Sequence, residues 1–115
     1  MRLFDPKTVT TVEGSVTQVE RVEHKMMGMF AIEATVKTAD VTYTVHLGPA
    51  WFIENQELQL AAGDSVTLTG SKITLQGRPT IIATEIVRGD DTLKLREKDG
   101  TPVWVGWRRR GAPGT

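Results

Sequence analysis

Three strand-like runs, one brief helical segment and a long glycine-interrupted hairpin follow one another in this chain and predict an all-β fold. That order belongs to the OB-fold, a five-stranded Greek-key barrel with a short helix between strands three and four. Two further observations agree with it. Threonine and valine dominate, and apolar residues recur at every second position, the period of a strand with one buried face. The alternation also slips at two places, as coiled barrel strands require.

In the first strand Val12, Gly14 and Val16 share a face, after which Val19 and Val22 break the parity. A β-bulge near Thr17-Gln18 accounts for the slip and bends the strand. The second strand carries Phe30, Ile32, Ala34 and Val36 on its apolar face, and the third Val41, Tyr43, Val45 and Leu47, joined through Thr38-Ala39-Asp40. Gly48-Pro49 ends the alternation, and proline suits the first turn of a helix because its missing N–H would be unpaired there. A helix to about Asn55 has room for one or two turns, with Trp51 and Phe52 as the apolar plug of one barrel end.

Leu58 and Leu60 lead back to the sheet, where Val66 and Leu68 alternate until Gly70 interrupts and Ile73 and Leu75 resume with opposite parity. Gln76-Gly77-Arg78-Pro79 is the expected turn into a strand from Thr80 to Val87, and Ile81-Ile82 predicts partial burial on both of its faces. Beyond Arg88 a C-terminal hairpin extension is expected. Leu93 and Leu95 form its first strand, Lys98-Asp99-Gly100 its turn, and Val103-Trp104 its return. Residues 4–110 are expected to form a single domain, and residues 111–115 a disordered tail.

Composition removes several function classes. Fourteen Lys and Arg balance fourteen Asp and Glu, so no global field draws the chain to nucleic acid or an anionic membrane. No cysteine is present, which excludes disulfides, thiolate catalysis and cysteine-ligated metals or clusters. No apolar run of about 18 residues is available to span a membrane. For catalysis there is no nucleophile elbow, no phosphate-cradling glycine loop and no His-Glu-x-x-His pair. The chain is therefore expected not to be an enzyme, and no cofactor is expected.

Two segments carry candidate chemistry. In His24-Lys25-Met26-Met27-Gly28-Met29, three of the four methionines lie beside one of the two histidines, in the loop between strands one and two. His24, Met26, Met27 and Met29 suit a soft ion such as Cu(I) or Ag(I). The plainer reading is that these methionines fill core gaps or cover the barrel mouth. At the C-terminal end Trp104 and Trp107 stand beside Arg108, Arg109 and Arg110. Aromatic faces next to guanidinium groups hold single-stranded nucleic acid. The plainer alternatives are a solvated basic tail, or a contact with a protein partner or small ligand. Strands two and three, the usual binding face, offer only Phe30 and Tyr43, both within the apolar alternation and so expected to be covered. His46 alternates with Val45 and Leu47 and is expected on the outer side of strand three as a hydrogen-bonded surface residue. Asp90-Asp91 and the Glu54 to Glu57 segment read as turn and helix-end material, and Glu85 as pointing to solvent.

Asp5-Pro6-Lys7-Thr8-Val9, Val45-His46-Leu47-Gly48-Pro49-Ala50-Trp51, the Gly63-Asp64 start of strand four, and Leu93-Lys94-Leu95-Arg96 through Pro102-Val103-Trp104 together resemble a family of small exported bacterial OB-fold proteins. The family is similar to the soluble domain shared by the magnetosome S- and X-type proteins, and the resemblance runs from about Phe4 to Arg109. It implies export, to the periplasm or beyond, with Phe4-Asp5-Pro6 just after a lost signal peptide. The X-type relatives attach haem through Cys-x-x-Cys-His motifs, which a cysteine-free chain cannot do. The expectation is a non-enzymatic binding module that engages a protein partner or small ligand through the barrel face and the Trp104 to Arg110 tail. Soft-metal binding and single-strand nucleic-acid binding stand as the alternatives.

Overall fold

A computed structural model describes residues 4–24 and 29–105, with the backbone alone for His24. After a single 3-10 turn, Pro6–Thr8, come β1 (Val9–His24), β2 (Met29–Lys37), β3 (Thr42–Pro49), α1 (Ala50–Ile53), β4 (Ser65–Leu75), β5 (Arg78–Arg88) and β6 (Asp91–Lys94). All six strands lie in one sheet, ordered β3-β2-β1-β4-β5-β6, with antiparallel neighbours. β3 pairs in addition with β5, in parallel, through Thr44 with Thr80, Val45 with Ile81 and His46 with Ile82. Backbone pairing thus runs β1, β2, β3, β5, β4 and back to β1. The β3–β5 seam is where that circuit closes.

Both predicted slips are structural. The register of β1 against β2 shifts between Val16 and Gln18, so β1 serves β4 with Val9–Ser15 and β2 with Ser15–His24. The register of β4 against β5 shifts between Thr69 and Gly70. Here the strands cross so closely that a Cβ on Gly70 would overlap the Ile82 carbonyl oxygen.

The interior is filled from every strand and from α1. Val45, Leu68, Ile81 and Leu95 have no exposed surface, and Val16, Val36, Leu47 and Ile86 almost none. Phe52 is buried at one end with Trp51 half-buried beside it, the two rings edge to face at 6.0 Å. Pro49 caps α1 from just outside instead of occupying its first turn.

Two elements differ from their sequence expectation. The β4–β5 turn is only Gln76-Gly77, both with positive φ (53° and 75°). That backbone matches the strand twist of a two-residue hairpin, so β5 begins at Arg78 and Pro79 pairs with Thr74 inside it. The C-terminal hairpin is reduced. β6 joins β5 as a sixth strand, and the return is one bridge, Arg96 with Pro102, made by the Glu97 N–H donating to Thr101 O at 2.8 Å and the Val103 N–H donating to Leu95 O at 3.0 Å.

The loop before β4 is tied down by one carboxylate. Asp64 Oδ2 accepts the Ala61 N–H at 2.9 Å and Arg88 Nη1 at 3.0 Å, while Gly63 N–H donates to Val16 O at 2.7 Å. The Ala61 bond, then the Arg88 bond, hold the Asp64 carboxyl below its ordinary value of 3.8. A depressed folded pKa contributes stability above the unfolded pKa and loses it as pH falls through the folded one. Urea midpoints are therefore expected to drop from pH 5 to pH 3, and Asp64→Asn to flatten that drop while lowering the midpoint at pH 7.

Candidate functional site

The outer face of the β3–β5 seam is covered by residues from both ends of the described chain. Leu95 is buried in the core, and the N–H groups of Leu95 and Arg96 both donate to Thr84 O, at 2.7 and 3.1 Å. The chain then turns, with Gly100 N–H donating to Glu97 O at 2.9 Å. Gly100 comes to rest against the ring of Phe4. Phe4 is fixed in turn by its neighbour Asp5, whose N–H donates to the buried Ser71 hydroxyl at 3.0 Å.

Beneath this cover Ile82 lies on the opposite face of β5 from Ile81 and outside the main core cluster, yet only 4% of it is exposed. Ile81 on the other face has none. The Ile81-Ile82 pair is thus buried on both sides, as its sequence predicts.

Arg96 sits at the edge of this second apolar layer. Its guanidinium carbon lies 5.1 Å from the Trp104 ring centroid, and Nη1 donates to Gly100 O at 3.0 Å. Nε is buried with no hydrogen-bond partner among the described residues. Burial lowers the Arg96 pKa, though a guanidinium remains charged at any physiological pH. Trp104 is held from below by Phe52, centroid to centroid 5.3 Å, and lies flush on Gly48.

A Cβ on Gly48 would stand 2.9 Å from the indole and would require a φ of 156° that side chains avoid. Gly48→Ala is therefore expected to displace Trp104 and cost about 1–3 kcal/mol, read as a lower melting temperature and an altered near-ultraviolet aromatic signal.

Between these groups is a hollow of about 380 Å³, with Phe4, Ile82, His46, Arg96 and Thr101 among its walls. His46 does lie on the outer side of β3, half-buried, with Nε2 3.4 Å from Glu33 Oε2. The hollow therefore has an apolar floor and a partly desolvated cation at its rim. A carboxylate meeting Arg96 there would gain more than at an open surface, because the local dielectric is lower and the bond is charge-assisted.

Of the residues singled out in the sequence, Trp104 belongs to this site. Trp107, Arg108, Arg109 and Arg110 lie outside the described residues, as do Met26 and Met27. His24 and Met29 end β1 and begin β2 directly opposite each other, and Met29 is half-buried. Among the described residues no group of three His, Asp or Glu side chains is placed to hold a metal ion. Tyr43 is buried as expected, but Phe30 is not: it is 41% exposed, with the Arg21 guanidinium 4.4 Å from its ring centroid. Phe30 precedes the residues of β2 that pair with β3, so no third strand covers it. Glu85 is half-buried, not turned fully to solvent, beneath the β6 neighbour. Arg96 was missed, because its setting depends on Phe4 and Gly48, far away in the chain. Its signal was the predicted hairpin, which set Arg96 across a tight turn from Trp104.

A sheet whose pairing returns on itself, with a covered seam and a half-buried arginine under an indole, defines a small β-rich protein. The chain belongs to the MamS/MamX magnetosome protein family, whose model matches residues 8–93. The match takes in β1 to β5 and stops short of Arg96 and Trp104, whereas the resemblance was expected to continue to Arg109. No curated protein and no solved structure matches the chain. No described helix is long and apolar enough to cross a membrane.

Proposed function

We propose that the circuit of strands is an OB-fold barrel and that the chain is a single-domain, non-enzymatic, exported binding module. Its ligand is a carboxylate carried on an apolar group, from a protein segment or a small molecule, seated in the seam hollow against Arg96. The observation behind this is the guanidinium itself, partly desolvated, with, among the described residues, one carbonyl as its hydrogen-bond partner and none at Nε. A buried donor left unmade costs about 1–3 kcal/mol, which ligand-induced adjustment can recover. Calorimetric titration with sodium benzoate is expected to give weak saturable binding that benzamide does not reproduce and Arg96→Gln removes. Equal responses to the two probes, or binding unchanged in Arg96→Gln, would overturn it.

A second reading has one observation in its favour. His24 and Met29 are opposite residues in the β1–β2 register, so two of the four soft-metal candidates share a position at the hairpin end. Cu(I) under reducing conditions is then expected to move the Met29 methyl signal at one equivalent, and an unmoved signal removes this reading. Single-strand nucleic acid stands third, since Trp107, Arg108, Arg109 and Arg110, on which that reading rests, lie outside the described residues.

A further inference from the structure

Beyond Val16 the outer edge of β1 is open among the described residues. β4 stops pairing with β1 at Ser15, and the loop before β4 takes Val16, whose N–H donates to Asp64 O at 2.8 Å and whose C=O accepts the Gly63 N–H at 2.7 Å. Both groups of Val16 thus point away from β2. The extra residue of the bulge then resets the alternation, so the N–H and C=O groups of Val19, Arg21 and Glu23 turn outward, away from β2. Among the described residues that side of β1 has no backbone partner after Val16. Gln18, Val19, Glu20, Arg21 and Glu23 are all exposed.

We propose that two chains associate edge to edge, β1 against β1, antiparallel, about a two-fold axis at Val22. Two strands related by such an axis keep the same face up, so facing residues share parity and the axis must fall on a residue. An axis at Glu20, Arg21 or Glu23 sets a charge against its own copy. At Val22, valine faces valine, and Arg21 faces Glu23 of the second copy twice over. Those two residues are also the ones whose backbone groups point outward, so each facing pair closes a hydrogen-bonded ring. Every residue-centred axis satisfies the hydrogen-bond phase, so charge complementarity is what selects this register. The bulge at Thr17-Gln18 ends the straight edge on one side and limits sliding. Arg21 is 3.6 Å from Glu54, but this pair is exposed and exchanges readily for Glu23 of a second copy.

Sedimentation equilibrium of the full chain at low salt is expected to show a monomer–dimer equilibrium. Arg21→Glu and Glu23→Arg should each weaken it, by about tenfold or more, and the double exchange should restore it. The chain has no cysteine, so a Val22→Cys variant offers one thiol per chain. Facing residues in a non-hydrogen-bonded pair stand about 4.5 Å apart, within disulfide reach. Val22→Cys is therefore expected to cross-link under mild oxidation, and Glu20→Cys to cross-link far less. A monomer at all concentrations, charge variants without effect, a double exchange that fails to restore association, or equal cross-linking at both positions would each overturn the proposal. Circular dichroism of each variant separates lost association from lost folding.

Discussion

Gly70→Val is expected to leave the chain largely unfolded at temperatures where the unsubstituted protein is folded. Gly70 lies where β4 and β5 shift register, and its missing Cβ makes room for the Ile82 carbonyl and the Ala83 Cα. Both neighbours are backbone atoms of a strand paired on each side, to β4 and to β3, so neither can yield as a side-chain tip would. Overpacking costs typically about 1–3 kcal/mol and more where the backbone must move. A chain this size has only about 5–15 kcal/mol to lose. At roughly 4 °C per kcal/mol, a fall in melting temperature of about 10 °C or more is expected by differential scanning calorimetry. A shift under about 3 °C would mean that β4 and β5 are farther apart than described.

Leu95→Ala is the second large effect, because it acts on the fold and the site together. Leu95 has no exposed surface and belongs to the main core, while its neighbour Arg96 belongs to the seam. Its N–H fixes the covering segment to Thr84 O, and its C=O receives the Val103 N–H that leads to Trp104. Truncating a buried leucine to alanine costs about 2–5 kcal/mol, here with the cavity beneath the segment that carries Arg96. Denaturant unfolding is expected to register that loss, and benzoate binding to fall even where the chain is still folded. Full stability with intact binding would show that the segment is held by something other than Leu95.

The strands were legible because alternation is local. Val12 to Val16, Ile32 to Val36 and Tyr43 to Leu47 each show their buried face within a few residues, and the Thr17-Gln18 bulge and the Gly70 slip appear as breaks in it. Ile81-Ile82 also announced burial on two faces. Phe30 misled because the alternation of β2 continues past the point where its pairing with β3 stops. The return of the C-terminal extension is short, a single bridge at Arg96 and Pro102, although the apolar pattern around it predicted a strand. Arg96 was invisible as a site because its neighbours Trp104 and Gly100 are themselves set by residues far away in the chain. Phe4 reaches Gly100 across almost the whole chain, and Trp104 rests on Gly48 in β3, far earlier in the sequence.

Those long-range contacts carry the account, and one spectrum tests them together. In ¹⁵N-labelled protein the Arg96 Nε–H is expected as a slowly exchanging side-chain resonance, because the group is buried beneath Trp104 and Gly100. Addition of sodium benzoate should shift it together with the Thr101 and His46 amides, saturably, and benzamide should not. A rapidly exchanging Nε–H, or benzoate shifts confined to other parts of the sheet, would contradict the assignment of the seam as the binding site.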